Sequence, residues 1–574
     1  MTNKELADIF TLIADLMQIK GEVVYKILAY RKAAENLISL PRNAKDIWQE
    51  GKLKDIPGVG KAISEKMDEL LSTGKLEYLE RLKKEVPETL AQVLEIPDLG
   101  PKKVKLFWDE LGITTVEELK GAAEEGKLSE LPGMGKKSEE RILIGIEALS
   151  RRTGRMPLGD AWPLAQKQLV LLREIPGVKA VEAAGSLRRM RSTVGDIDIL
   201  VAADDSEKVM QAFIAQPTIA RVEGQGNVKT SVEFSNGLRV QIWVHPPEKF
   251  GTALQYATGS KGHNVKMREL ALSNGYSLSE QALTKEDGTE LYFSTEEKVY
   301  EKLGIPWVAP ELREDQGEVS SAISGALPKL IEKKDIIAEL HCHSTWSDGK
   351  ATIIDMALAA MDRGYKTLAI TDHSVSLGIG NGLSIQRLED QKKEIASARK
   401  ELGDEITLLH GTEMEIKADG SLDFPDDVLA ELDIVIASLH VSIRQPSEKV
   451  TQRMLNAINN PHVDIIAHPT NRLIPDRQGA DLNMDAVFKA AKDNDTVLEI
   501  NANPRRLDLE DIYARRAIDE GIKLTINTDA HHPEHMNFLG YGVATARRGW
   551  VTKEKVINTW TPEKLVKWLK GRGK

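Results

Sequence analysis

The chain has 574 residues, 41% of them hydrophobic and 29% charged, with a formal net charge of −11 and a single cysteine. One cysteine excludes an internal disulfide and a thiolate-built zinc site, so a cytoplasmic location is expected and any metal must be held by His, Asp and Glu. No stretch approaches the ~18 apolar residues of a membrane span and the first ten residues lack a signal peptide's apolar core, so no membrane partner is expected. An acidic chain is not a simple polyanion binder; contact with nucleic acid would have to be local, through backbone amides, a few placed Lys and Arg, or bound cations.

Residues 3 to 40 carry apolar positions at three-four spacing and read as helices. A turn pattern then recurs three times: Ile56-Pro57-Gly58-Val59-Gly60-Lys61, Ile96-Pro97-Asp98-Leu99-Gly100-Pro101 and Leu131-Pro132-Gly133-Met134-Gly135-Lys136. A Gly-x-Gly turn that opens a helix exposes backbone N–H groups where the helix dipole is positive, a grip on phosphate that needs no net positive charge. Gly58, Gly60, Gly100, Gly133 and Gly135 are therefore the expected DNA-phosphate contacts; the bland alternative is three ordinary helix-helix turns. The set resembles helix-hairpin-helix DNA-binding motifs, with Asp98 replacing a glycine in the second copy. Around the first copy, AYRKAAENLISLP and IPGVGKAISEKMDELLSTGKLEYL resemble the small N-terminal domain of family X DNA polymerases. The resemblance implies Lys66 as a lyase nucleophile toward a 5′-deoxyribose phosphate, with Lys26 and Tyr30 in the phosphate pocket. A partly desolvated lysine suits that chemistry, although an exposed lysine on a helix is also commonplace.

Gly185-Ser186-Leu187-Arg188-Arg189 precedes Gly195-Asp196-Ile197-Asp198-Ile199-Leu200-Val201. Ile/Val alternation argues for a strand with Asp196 and Asp198 on one face, where paired carboxylates bind Mg²⁺ or Mn²⁺ for phosphoryl transfer. GS followed by D-x-D resembles the nucleotidyltransferase superfamily. That resemblance implies Asp196 and Asp198 as catalytic metal ligands, and Gly185, Ser186 and Arg189 as the nucleotide-phosphate turn. Farther on, Tyr256-Ala257-Thr258-Gly259-Ser260-Lys261-Gly262-His263-Asn264 resembles the family X segment that meets the incoming dNTP, implying nucleotide contacts from Tyr256, Gly259 and Asn264, and a DNA contact from Arg268. With the tail LGIPWVAPELREDQGE, similarity to the bacterial and archaeal PolX type runs from residue 1 to about residue 320. There are two departures. The strand expected to carry a third catalytic aspartate has Gln241, and a neutral amide cannot help deprotonate a primer hydroxyl; Glu233 on the preceding strand is the substitute to consider. Ala257 stands where relatives commonly have Phe against the sugar.

In the last 240 residues, strand-like and helix-like runs alternate, which argues for a parallel β/α barrel with functional side chains at the C-terminal strand ends. His341, His343, His373, Glu413, His440, His468, Asp529 and His531 lie at or just past such ends, and this region holds ten of the twelve histidines. The order HCHSTWSDG, TDHS, GTEMEI, SLH, AHP, TDAH is similar to that of the PHP (polymerase and histidinol phosphatase) family. By resemblance, His341, His343, Glu413 and Asp529 would hold one metal; Glu413, His440 and His468 a second; and Asp348, His373 and His531 a third. His/carboxylate ligation suits Mn²⁺, Zn²⁺ or Fe²⁺. His410, His462, His532 and His535 read as supporting or surface residues, and Arg444 and Arg505 as candidates for steering a phosphodiester.

The expected fold is multidomain α+β and α/β. It comprises a lyase-like helix-hairpin-helix domain (1–80), a fingers-like helix-hairpin-helix domain (81–155), a nucleotidyltransferase palm (156–248), a thumb (249–318), a polar linker with a short helix (319–335) and a distorted PHP barrel (336–574). The expected function is DNA repair by a gap-filling polymerase module, impaired by Gln241, joined to a metal-dependent 3′–5′ exonuclease acting on gapped or nicked DNA. A monomer is expected. Two alternatives are a nuclease whose polymerase module is retired and a small-molecule phosphatase of the histidinol-phosphate type.

Overall fold

The computed structural model describes every residue except 39, 41, 95, 97, 98, 137, 141, 144, 145, 147–154, 227, 235, 236, 573 and 574. Asp98, the substituted position of the second hairpin, therefore lies outside the described residues. The chain forms two units, Met1–Gly154 and Arg155–Lys574.

The first unit is helical. Helix Asn3–Lys20 opens on a Thr2/Glu5 capping box and ends at left-handed Gly21, after which helix Val24–Ile38 returns alongside it. Phe10, Leu16, Tyr30, Met67 and Phe107 lie in one buried core. Helix Lys61–Thr73 starts at Gly60 and helix Pro101–Leu111 at Gly100, while the Gly135 carbonyl accepts from the Ser138 and Glu139 amides as at a helix start. Gly58 has φ +76°, and a Cβ there would sit 2.6 Å from Asn36 Nδ2, so the first turn admits only glycine without rearrangement.

In the second unit, a five-stranded sheet is built from β1 (Val178–Ala183), β2 (Ile197–Ala203), β3 (Ile219–Gln225), β4 (Lys229–Phe234) and β5 (Arg239–His245), ordered β1-β2-β5-β4-β3. Only β2 and β5 pair in parallel, which sets Asp198 directly beside Gln241. Helices Phe250–Thr258 and Lys261–Ser273 and a small three-stranded sheet follow.

Seven parallel strands then run in sequence order: β6 (Ala338–Cys342), β7 (Thr367–Ile370), β8 (Thr407–Glu415), β9 (Ile434–Ser438), β10 (Ile465–Ile466), β11 (Val497–Asn501) and β12 (Leu524–Asn527). A parallel bridge between Cys342 and Ala530 nearly closes the barrel. Helices cover the outer face of these strands and side chains such as Leu340, Ile436 and Ile465 fill the inside, so both faces are buried, which explains their unbroken Ile/Val/Leu character. The stretch expected as a polar connector holds the short helix Glu318–Ile323, but its end is docked: Ile331 is buried and its amide donates to Val551. The sheet and barrel also share packing, since Ile474 and Leu507 belong to the core beneath β2 and β5. No helix among the described residues is long and apolar enough to cross a membrane.

Candidate functional site

The barrel brings all nine expected ligand residues to one mouth. On β6, His341 faces inward, while the buried Cys342 turns outward to donate to the Ala369 carbonyl. His341 Nε2 lies 3.4 Å from Glu413 and 3.6 Å from Asp529, and His343 Nε2 lies 3.1 Å from Asp529. Glu413, on β8, is the hub: its Oε1 is 3.0 Å from His468 and 3.3 Å from His440, and its Oε2 is 2.8 Å from His373. Asp348 lies 3.3 Å from His531 and 3.6 Å from His373. Three donor groups result: His343, Asp348, His373 and His531; His341, His343 and Asp529; and His373, Glu413 and His440. His373 thus stands with Glu413 as well as with Asp348. His468 and Asp529 have φ of +26° and +53°, backbone conformations uncommon for non-glycine residues.

Burial opposes charge here, yet the groups polarise one another. Glu413 and Asp529 are held well below the carboxylate range against burial, Glu413 by His440, His341 and His373 and Asp529 by His341. Burial would lower His440 and His531, but Glu413 and Asp348 respectively carry them up to about 9. His343, buried beside His531 and His373, falls to about 3. His341 Nε2, His343 Nδ1 and Glu413 Oε2 are buried with no hydrogen-bond partner in the protein. Orphaned buried donors of this kind, on nitrogen and carboxylate groups, fit divalent metals.

Four carboxylates not anticipated from the sequence orient these ligands. Glu499 accepts from His341 Nδ1 at 2.8 Å, the His468 amide at 2.8 Å and Asn527 at 2.9 Å. Glu415 accepts from His440 Nδ1 at 2.8 Å and from the His440 and Val441 amides. Glu339 bonds the Thr528 hydroxyl and the His341 amide, and Asp372 ties Ser344, Ser347 and Gln391 beneath the Asp348 loop. For two of them a signal was present: Glu339 and Glu415 stand two residues along a strand from a candidate ligand, on the same face. Of the expected steering arginines, Arg505 is exposed and paired with Asp476, whereas its neighbour Arg506 reaches 3.6 Å from Asp529. The four supporting histidines lie outside the three donor groups; His410, for example, pairs with Gln391 and His535 stacks on Phe538.

In the palm, Gly185 has φ +60° and its Cα faces Asp198 so closely that a Cβ would meet Oδ2 at 2.5 Å. Burial, then the charge of Asp196, pushes Asp198 up to about 7. Gln241 donates to Asp196 Oδ2 at 2.7 Å, and its own oxygen accepts from Ser231 at 3.4 Å. Two carboxylates and an amide are a donor set that suits Mg²⁺ completed by water and substrate phosphate. Glu233 cannot take the vacant role from where it stands. It lies on β4, with β5 between it and β2, and pairs with Arg239 rather than Gln241, so it stands two strand spacings across and two residues along from Asp198, a backbone separation of about 12 Å. Arg189 is engaged by Glu314 at 3.0 Å and by the Thr258 carbonyl at 2.6 Å. Asn264 donates to the Tyr256 carbonyl at 2.8 Å, and the Arg268 guanidinium lies 5.6 Å from the Tyr256 ring centre.

In the first unit, Lys66 Nζ lies 4.9 Å over the Tyr78 ring, which stacks on Tyr30 at 6.2 Å; Lys26 pairs with Glu22 at 3.2 Å.

Comparison with known proteins covers both units. Family models match for a helix-hairpin-helix domain (residues 1–76), a SAM-like helix-hairpin-helix tandem (91–148), the DNA polymerase beta thumb (253–314) and the PHP domain (339–503). The chain is 39% identical to the DNA polymerase/3′-5′ exonuclease PolX of Bacillus subtilis (strain 168), over 99% of this chain and 100% of the relative. It is 29% identical to DNA polymerase lambda of Rattus norvegicus over 54% of this chain and 56% of that one. It is also 30% identical to a "probable phosphatase" of Thermoanaerobacter sp. (strain X514), over 39% of this chain and 91% of the relative. End to end, the chain belongs to the PolX-type family X DNA polymerases that carry a C-terminal PHP domain.

Proposed function

We propose that the barrel removes nucleotides from DNA 3′ ends by metal-dependent phosphodiester hydrolysis, and that this is the chain's robust activity. The observation that carries the proposal is the convergence of nine His, Asp and Glu residues, eight in three donor groups and His468 joined to them through Glu413, set against a palm with two carboxylates and Gln241. His341, His343, Asp348, His373, Glu413, His440, His468, Asp529 and His531 would hold up to three Mn²⁺, Zn²⁺ or Fe²⁺ ions. Such ions polarise phosphate oxygens, lower the pKa of a bound water and stabilise the leaving oxygen. Glu499 and Glu415 keep His341 and His440 aimed into the mouth, and Arg506 contributes positive charge beside Asp529. The helix-hairpin-helix glycines Gly58, Gly60, Gly100, Gly133 and Gly135, with Lys26 and Tyr30, grip gapped or nicked DNA, and Lys66 serves as the lyase nucleophile. The protein works as a cytoplasmic monomer.

The palm binds a dNTP through Gly185, Ser186, Arg189, Tyr256, Gly259 and Asn264, with Asp196 and Asp198 holding Mg²⁺ or Mn²⁺ and Arg268 meeting DNA. Polymerisation is weak because Gln241 adds no charge, and the Gln241–Asp196 hydrogen bond favours the retired-polymerase reading as the second choice. The test is Mn²⁺-loaded protein on 3′-labelled gapped DNA. Stepwise loss of the 3′ label, abolished in His341→Ala, supports the proposal. Intact DNA alongside rapid hydrolysis of histidinol phosphate would make the barrel a small-molecule phosphatase instead.

A further inference from the structure

Directly after His373, residues 374–384 fold into a tight loop on the rim of the metal-ligand cluster. Its two ends are joined, with the Leu383 amide donating to the His373 carbonyl at 2.7 Å. Asp423 fixes one side through Ser374 Oγ at 2.6 Å and the Ser376 amide at 2.7 Å. On the other side, Asn381 donates to the Ser347 carbonyl at 3.0 Å, and Arg387 bonds the Trp346 carbonyl. Gly380 packs on the His373 ring so closely that a Cβ would lie 2.8 Å from Cδ2, and a Cβ on Gly382 would lie 1.9 Å from the Ser374 carbonyl oxygen. The loop is thus pinned at several points against the site.

On this pinned loop the chain places Ile379, 97% exposed, and Val375, 49% exposed, with Ile385 at 43% just past its end as the first residue of helix Ile385–Leu402. Singly exposed apolar residues need no account, but three branched ones on one fixed rim next to a catalytic mouth leave apolar area in water at a cost. The opposite rim has the opposite chemistry. β7, which leads into this loop, and β11, which leads to Arg506, are separated by three strands one way round the barrel and by two the other. Arg506, which follows β11 and stands beside Asp529, therefore lies on the side of the mouth away from β7. A cationic rim suits a sugar-phosphate backbone, and an apolar rim suits the face of a base, against which aliphatic side chains commonly wedge.

We propose that Ile379, supported by Val375 and Ile385, is a wedge that packs against the terminal base pair of the DNA whose 3′ end enters the barrel, parting that base from its complement. This rests on the nuclease reading above. The readout is a ratio for each protein: the rate of 3′-nucleotide removal from a fully paired end over the rate of hydrolysis of thymidine 5′-(4-nitrophenyl) phosphate, a small diester without a base pair. In Ile379→Ser the ratio is expected to fall about fivefold or more, as befits losing the burial of roughly half an isoleucine side chain, and Ile379→Leu is expected to restore most of it. The same ratio measured on an end already unpaired by a mismatch should fall less. An unchanged ratio in Ile379→Ser, or an equal fall on paired and mismatched ends, overturns the wedge while leaving the nuclease reading intact. Hydrolysis of the small diester with no removal from any DNA end by the wild-type protein overturns both.

Discussion

Gln241 donates its side-chain amide to Asp196 at 2.7 Å, where the family X pattern has a third carboxylate facing the same pair. The bond occupies one Asp196 oxygen without adding an acceptor for a cation. Asp198, meanwhile, is already pushed up to about 7 by burial and by Asp196. A third carboxylate would make the group costlier without metal and a stronger cation site with it. Gln241→Asp, in a His341→Ala background that silences degradation, is expected to raise Mg²⁺-dependent extension at a one-nucleotide gap by about 100-fold. Efficient extension by a protein that keeps Gln241 would refute the impaired-palm reading.

Glu499 touches three groups around the barrel mouth yet is not among the expected ligands. Its bond to His341 Nδ1 fixes the tautomer that presents Nε2 to the cluster, and its bond to the His468 amide holds a strained backbone. Glu499→Gln is expected to weaken retention of one metal equivalent about 10- to 100-fold, read by metal content after dialysis against graded chelator. Metal content equal to wild type across the series would reduce Glu499 to a core residue.

The convergence of the candidate ligands was legible because functional side chains of a barrel sit at strand ends, so His341, His373, Glu413, His440 and His468 could be read one strand at a time. The alternation of strand and helix gave the barrel for the same reason. What escaped the sequence was what depends on contacts between distant segments. Glu499 is 158 positions from His341, and no local pattern distinguishes it from an ordinary strand residue. Arg505 and Arg506 are adjacent, and only the backbone path after β11 decides that Arg506 reaches Asp529 while Arg505 pairs with Asp476. Likewise Glu233 looked available on the strand before Gln241, and only the strand order β2-β5-β4 removes it.

Arg548 joins the barrel to the thumb and palm. Buried in helix Leu539–Arg548, it bonds Glu314 at 2.9 Å, Asp511 at 2.6 Å and the Arg189 carbonyl at 2.7 Å. Glu314 also carries Arg189, so one carboxylate bridges an expected nucleotide contact and the barrel. Arg548→Ala leaves Glu314 and Asp511, both only partly exposed, short of a cation and is expected to cost about 2–4 kcal/mol, seen as a lower urea midpoint for the second unit. Arg548→Lys should recover only part of this, because an ammonium cannot reproduce the forked geometry. A midpoint within error of wild type for Arg548→Ala would show that the junction contributes no stability.

Glu296 gives the clearest pH dependence. It is buried between Arg188 at 2.8 Å and Arg313 at 2.6 Å, with Trp307 donating a further bond. Burial alone would raise its carboxyl, but the two guanidinium groups hold it down to about 2 from an ordinary 4.5. A folded-state value below the unfolded one means the stabilisation is complete above about pH 5 and is lost as pH falls toward 2, for a total of about 3 kcal/mol. Glu296→Gln carries no titrating group and leaves both arginines without a counter-charge at every pH. The stability gap between wild type and Glu296→Gln is therefore expected to be widest at pH 7 and to narrow steadily between pH 5 and pH 3, measured by urea unfolding at each pH. A gap that stays constant across that range would mean that Glu296 is not ionised between its two arginines.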